Sequence, residues 1–215
     1  MTMKSRLIFV LLFILTVAAL PTQAVDRVPR SIYVFGVHAG WSGPFGDYSA
    51  IGPYVIDPYQ TFSASDLFNS TYHMGMEIGR LTGENLYTGL GIRYTKIETD
   101  RVWGIVPPEV KFHQFDVNLD VSFYPVSPLQ ESVSPYFGPG LGLGFTTQSV
   151  RGYRSESQFN VSLNLNFGVD FRVWKATDGR SLITLSSVNS ANILATGDRP
   201  KFVNIGGALK YFFRP

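Results

Sequence analysis

The stretch from Gln158 to Trp174, QFNVSLNLNFGVDFRVW, constrains the fold of this chain more than any other. Its odd positions are Phe159, Val161, Leu163, Leu165, Phe167, Val169, Phe171 and Val173; its even positions are Asn160, Ser162, Asn164, Asn166, Gly168, Asp170, Arg172 and Trp174. A helix would scatter those apolar residues around its whole surface. A strand sends successive side chains to opposite faces, so all of them share one side. The run exceeds the usual strand of about 5–6 residues and reaches the roughly 9–11 tilted residues that cross a bilayer. Whether the apolar face meets protein or lipid has to be read from the rest of the chain.

The same alternation recurs along the sequence. Ser31–Ser42 sets Tyr33, Phe35, Val37, Ala39 and Trp41 against Gly36, His38 and Gly40. Thr71–Leu81 sets Tyr72, Met74, Met76 and Ile78 against His73, Gly75, Glu77 and Gly79, and Leu86–Lys96 sets Leu86, Leu90, Ile92 and Tyr94 against Tyr87, Gly89, Gly91, Arg93 and Thr95. Lys111–Tyr124, Tyr136–Thr147 and Phe202–Phe213 alternate likewise, while Ser181–Val188 is the weakest of the strands because Leu182, Ile183 and Leu185 do not alternate cleanly. Pro139 interrupts the fifth strand and calls for a bulge, or for regular pairing that begins after it, because proline cannot donate to a ladder.

Eight strands result, joined by connections that alternate between long and short or medium: 43–70, 82–85, 98–110, 125–134, 148–157, 175–180 and 189–201. An even strand number with short turns on one side and longer loops on the other is the pattern of an all-β, eight-stranded antiparallel up-and-down transmembrane β-barrel with both termini in the periplasm.

The composition of the two faces says which one meets lipid. The wet face of a soluble sandwich or barrel carries Lys, Glu and Thr in quantity; here the polar face is Gly, Asn and Ser with isolated charges. Only 16% of residues are charged and 14% are aromatic, with 21 glycines; about 25% charged is usual. Glycine weakens a strand unless something needs the space, and the interior of an eight-stranded barrel is just filled by side chains. The polar face is therefore expected to be the lumen and the apolar face to meet hydrocarbon. Aromatics gather at both ends of the apolar face: Trp41, Tyr94, Phe115, Phe145 and Phe159 near the loops, and Tyr33, Phe35, Phe123, Phe137, Phe171, Tyr211 and Phe213 near the turns. Such belts mark bilayer interfaces.

Residues 1–24 read as a cleaved signal peptide ahead of a barrel domain spanning 25–215. Lys4 and Arg6 precede the apolar run Leu7–Leu20, and Thr22-Gln23-Ala24 supplies small residues at a cleavage site. The formal charge of +2 loses these two cations and falls to about zero, which removes any case for nucleic acid. The chain has no cysteine, so disulfide scaffolds, zinc–thiolate sites and a cysteine lipid anchor are excluded.

On these residues the chain resembles the small eight-stranded outer-membrane proteins, OmpX-like and OmpA-transmembrane-domain-like barrels, from about Ser31 to Phe213. The resemblance implies a bacterial outer-membrane location and a last strand whose alternating Leu209, Tyr211 and Phe213 act as the assembly signal read by the barrel-insertion machinery. In the family the terminal aromatic is usually the last residue; here Arg214 and Pro215 follow it. With nothing resembling a peptidoglycan-binding domain after the barrel, the chain is nearer to the OmpX-like proteins than to full-length OmpA.

The chemistry-bearing residues are few. Glu77, Asp116, Asp120 and Asp170 share the lumen face with Arg93, Arg172 and Lys210 and are expected to form an interlocked charge network, since confined charges must pair or be hydrated. Gly138, Gly140, Gly142 and Gly144 recur every second residue within a strand, with no Lys-Ser/Thr after them, so they read as lumen packing and not as a phosphate loop. His38 and His73 fall on the lumen face of adjacent strands, but two imidazoles without a third ligand make no metal site. A lipid A deacylase of the PagL kind would place a His-x-Ser pair near the membrane boundary. The segment Ser187–Asn192 has no histidine, and His113 is followed by Gln114 and Phe115, so the nucleophile has no base.

No catalytic residue, metal or cofactor is expected. The reading is a monomeric, non-enzymatic barrel with outer-membrane lipid and lipopolysaccharide around it and an external ligand engaged by the tyrosine-rich segment 43–70. A narrow passive pore is the first alternative and a PagL-type hydrolase the second.

Overall fold

The computed structural model describes residues 32–45, 47–48, 50–51, 54–55, 62–63, 68–69, 71–99, 110–150, 155–195 and 201–214; the expected signal peptide lies outside them. Eight long strands form the body: β1 (Ile32–Phe45), β2 (Thr71–Thr82), β3 (Leu86–Thr99), β4 (Val110–Phe123), β5 (Val133–Val150), β6 (Glu156–Lys175), β7 (Ser181–Ala195) and β8 (Lys201–Phe213). Each pairs antiparallel with its sequence neighbours, and β1 pairs with β8 through thirteen residue pairs from Tyr33↔Phe213 to Phe45↔Lys201. The sheet is therefore closed and leaves no barrel strand with an open edge, the one β solution that satisfies the backbone in lipid. Within 43–70, short segments pair locally: Asp47–Tyr48 with Phe62–Ser63, and Ala50–Ile51 with Tyr54–Val55. Phe68–Asn69 pairs with β3 at Thr99 and Glu98.

The strands run further toward the loops than the alternation indicated. The largest difference is at 189–201, expected as a loop: β7 continues to Ala195 and β8 begins at Lys201. Of the polar residues there, Ser190 is buried in the lumen, beside the buried Asn204 of β8. Pro139 needs no bulge. The β4–β5 register is the same on either side of it, Phe137↔Phe123 and Gly140↔Asp120, and the ladder is merely interrupted between them. Trp174, expected on the polar face, is turned outward by a register shift between Arg172 and Trp174 against β7.

The molecule is inverted relative to a soluble barrel. Phe145, Phe159 and Ile78 are more than half exposed on the outer wall, while Asn118, Asn164, Asp170 and Lys210 are buried inside. The aromatic residues expected at the two ends of the wall lie on its outer face, with Phe145 and Phe159 in edge contact at one end and Tyr33, Phe213 and Tyr211 stacked in series at the other.

Candidate functional site

The lumen is divided into layers. At the turn end, Ile32, Val34, Leu81, Tyr87, Tyr124, Tyr136, Leu182 and Phe212 form one buried hydrophobic cluster with Leu129 packed against it. The connection between β4 and β5 is folded across this floor. Arg172 donates from Nη1 to the carbonyls of Leu129 and Gln130 at 3.2 and 3.3 Å and from Nη2 to Ser132 Oγ at 3.1 Å, and Lys175 donates to the Leu129 carbonyl at 3.0 Å. Arg172 thus ties down the turn instead of joining the lumen charges, as its place on the even face of β6 had suggested.

Directly above the floor lies an ionic layer. Lys210 Nζ is 3.3 Å from Asp170 Oδ1 and 3.9 Å from Glu77 Oε1, and sits 4.1 Å from the centroid of the Tyr136 ring. The two carboxylates are held from below: Tyr124 donates to Asp170 Oδ2 at 2.9 Å and Tyr87 to Glu77 Oε2 at 3.0 Å. The tyrosines therefore belong to both layers, with rings in the apolar floor and hydroxyls in the ion cluster, the usual use of an amphipathic ring at such a boundary. Alternation alone could not find this floor, because both faces are apolar where it forms: Ile32-Tyr33-Val34-Phe35 and Tyr211-Phe212-Phe213. That loss of alternation next to the turns was the available signal.

Higher in the lumen, β4 and β6 reach across β5. Asn166 Nδ2 donates to Asp120 Oδ1 at 2.6 Å and Asn164 Nδ2 to Asn118 Oδ1 at 3.2 Å. Both bonds pass over glycines of β5. A Cβ on Gly140 would collide with Asp120 Oδ1 and lie 2.8 Å from Asn166 Nδ2, and one on Gly142 would collide with Ser162 Oγ and lie 2.8 Å from Asn118 Oδ1. Asp116 accepts from Gln114 Nε2 at 2.7 Å.

Arg93 reaches the far wall and starts a chain of hydrogen bonds. Its Nη1 donates to Ser190 Oγ at 3.1 Å, Asn204 Nδ2 donates to the same oxygen at 3.0 Å, Ser42 donates to Asn204 Oδ1 at 2.6 Å, and Ser42 Oγ lies 3.1 Å from His73 Nδ1. The Ser42 hydroxyl donates its proton to Asn204 Oδ1 and not to His73, so the pair is not arranged as a nucleophile with its base. Ser42 is completely buried. His38 and His73 are neighbours, with ring centroids 5.7 Å apart, and among the described residues no group of three or more His, Cys, Asp or Glu is arranged to hold a metal. Between these layers remains a cavity of about 40 Å³ lined by His38, Glu77, Arg93, Asn118, Asp120 and Lys210 among others. That is room for a few waters at most.

At the loop end the outer wall changes character on one flank. Tyr94 and His113 stack with centroids 6.0 Å apart and share a 2.6 Å hydrogen bond between Tyr94 Oη and His113 Nδ1. Above them Lys96 Nζ meets Glu98 Oε1 at 2.7 Å, and Glu98 stands opposite Lys111 in the β3–β4 register.

A closed eight-stranded wall that is apolar outside, belted by aromatics at both ends and filled by polar groups inside, defines a transmembrane β-barrel of the outer-membrane type. The chain is similar to solved structures of outer-membrane barrels. The outer-membrane protein OprG from Pseudomonas aeruginosa has 15% identity, with 85% of this chain and 96% of that chain covered and a TM-score of 0.52. Neisserial surface protein A has 14% identity over 86% of this chain and 97% of its own, with a TM-score of 0.49. The N-terminal barrel domain of P. aeruginosa OprF has 11% identity over 86% and 98%, with a TM-score of 0.49. At this identity the likeness to OprG is one of fold. No protein-family model and no curated protein matches the sequence.

Proposed function

We propose that this chain is a non-catalytic outer-membrane protein whose work is done at its loop end, with the barrel serving as a rigid, sealed support for an external binding surface that includes segment 43–70. The observation that carries this reading is the state of the lumen. A hydrophobic floor and the Lys210–Asp170–Glu77 layer above it occupy the barrel across its section, so a solute entering from the loop side meets desolvated side chains, not a water-filled path. In the lumen, Glu77, Asp120, Asp170, Arg93 and Lys210 are each bonded to neighbouring side chains, which leaves the loop end as the part that meets an external ligand.

Planar-bilayer recording of the purified barrel tests this. No unitary conductance is expected over the bilayer baseline; reproducible steps from the intact protein would overturn the sealed-support reading and favour a passive pore. Replacing residues 46–67 by a short Gly-Ser linker should leave the barrel folded, judged by its heat-modifiable migration in gels, since the long strands pair without that segment. A barrel that no longer assembles would contradict the division between support and binding loop.

A further inference from the structure

We propose that the outer wall formed by β7, β8 and β1 is the contact face of a homodimer, with a second copy of this chain seated against it in the membrane. Polarity sets this face apart. Ser187 and Asn189 point outward from β7: they pair with the outward Val169 and Phe167 of β6 and with Gly207 and Ile205 of β8, while Ser186 and Ser190 beside them are buried in the lumen. Both stand within the hydrocarbon band. Phe167 lies between the belt aromatics Phe159 and Phe171, and Leu165, Ala191 and Val203 continue the wall beyond Asn189 toward the loops. Ser187 Oγ accepts from the Val169 amide at 3.2 Å. Among the described residues, the Asn189 side chain has no hydrogen-bond partner, and an amide left so in hydrocarbon is costly.

Relief sets it apart as well. Ala39, Gly207 and Ser187 are cross-strand neighbours on β1, β8 and β7. They form the floor of a groove of about 690 Å³ in the outer wall, flanked by Val37, Leu209, Leu185 and Phe171. A Cβ on Gly207 would meet only Ser186 O, at 3.7 Å, so nothing in the lumen requires a glycine there. Its small size serves the outside. The opposite wall, by contrast, presents the large side chains of Leu90, Ile92, Val117, Leu119 and Leu143.

Together the two features select the occupant. A primary amide offers donors and an acceptor at once and needs both in return. Lipids carry their polar groups at the level of the aromatic belts and only acyl chains between them, so they fill the groove but leave Asn189 unanswered. A second copy, turned about a twofold axis along the membrane normal, brings its own Asn189 to the same height. The contact is then self-complementary, each amide donating to the other. Small residues on the floor let the two walls come close enough for that exchange, as they do between transmembrane helices. This departs from the monomer expected from the sequence, in which Asn189 falls in a loop and not in the wall. It adds an interface to the sealed support and uses none of the loop surface.

Energy transfer between full-length chains in dilute lipid vesicles reads the association directly. The chain has no cysteine, so Arg180→Cys, on the exposed turn between β6 and β7, takes a single donor or acceptor dye. Transfer above the level of randomly dispersed barrels is expected. Asn189→Leu and Gly207→Leu should each weaken the association by about tenfold or more, as the loss of paired hydrogen bonds or of close approach predicts. Leu119→Ala on the opposite wall should leave it unchanged. Without dyes, Ser187→Cys chains should form a disulfide-linked dimer with copper phenanthroline as oxidant, and Leu119→Cys chains should not. Parent chains that disperse as monomers, or a dimer that survives both leucine variants while each still shows heat-modifiable folding, would overturn the proposal. So would a monomer that retains a lipid in native mass spectrometry, because acyl chains would then be what covers the groove. The conductance test of the sealed lumen is independent of either result.

Discussion

Lys210 shows how much a single inward position can carry. Its ammonium is almost fully buried against a carboxylate with no exposure, Asp170, and such a pair is costly to break from one side only, because the remaining charge is left without a partner: about 3–5 kcal/mol. Lys210→Met should therefore lower the unfolding free energy in lipid vesicles by about that amount, and Asp170→Leu added to it should recover much of the loss. A single variant as stable as the parent in urea titration would show that the ion cluster contributes nothing. A second contrast is set by two glycines. Gly142 faces the lumen under the Asn118–Asn164 bridge, whereas Gly207 faces outward, where a Cβ would meet only Ser186 O at 3.7 Å. Gly142→Val is expected to cost about 1–3 kcal/mol by overpacking, and Gly207→Ala close to nothing; equal effects in the same titration would contradict the assignment of faces. At this scale the sequence revealed which residues point inward but not their partners. Glu77, Asp120, Asp170, Arg93 and Lys210 could be placed on the lumen face by parity alone, yet Arg172, of the same parity, is captured by backbone carbonyls of the 125–134 turn, whose place against the barrel floor no pattern showed.

Among the elements, the middle of each strand was legible because alternation is cleanest where one face meets hydrocarbon and the other a polar lumen. Strand ends were not, for two physical reasons. Near the turns the lumen becomes apolar, so Ile32, Val34, Leu182 and Phe212 blur the period. At the loop end of β7 the outward Asn189 and the inward Ser190 are both polar, so Asn189–Ala195 read as loop although it is ladder. The last strand carries the element's own prediction. Leu209, Tyr211 and Phe213 share the outer face of β8, and Tyr211 and Phe213 continue a stack with Tyr33. If these residues also serve the insertion machinery, Tyr211→Ala/Phe213→Ala should reduce assembled protein in cells much more than it reduces spontaneous insertion into vesicles. An equal reduction in both assays would assign the aromatics to interface anchoring alone.

For the whole molecule, the decisive step is that the sheet closes. Thirteen residue pairs join β1 to β8, and with closure the alternation acquires one meaning: from Phe159 to Phe171, odd residues of β6 face the bilayer and the even residues between them fill the lumen. The absence of cysteine in the chain permits single spin labels without background. Labels placed singly at Val161, Leu165, Phe167 and Val169 in lipid vesicles should be mobile, open to dissolved oxygen and shielded from an aqueous nickel reagent, with the oxygen-to-nickel ratio greatest toward the strand's middle. Immobile labels closed to oxygen, as in a soluble barrel whose apolar face packs inward, or labels open to nickel throughout, would contradict the account.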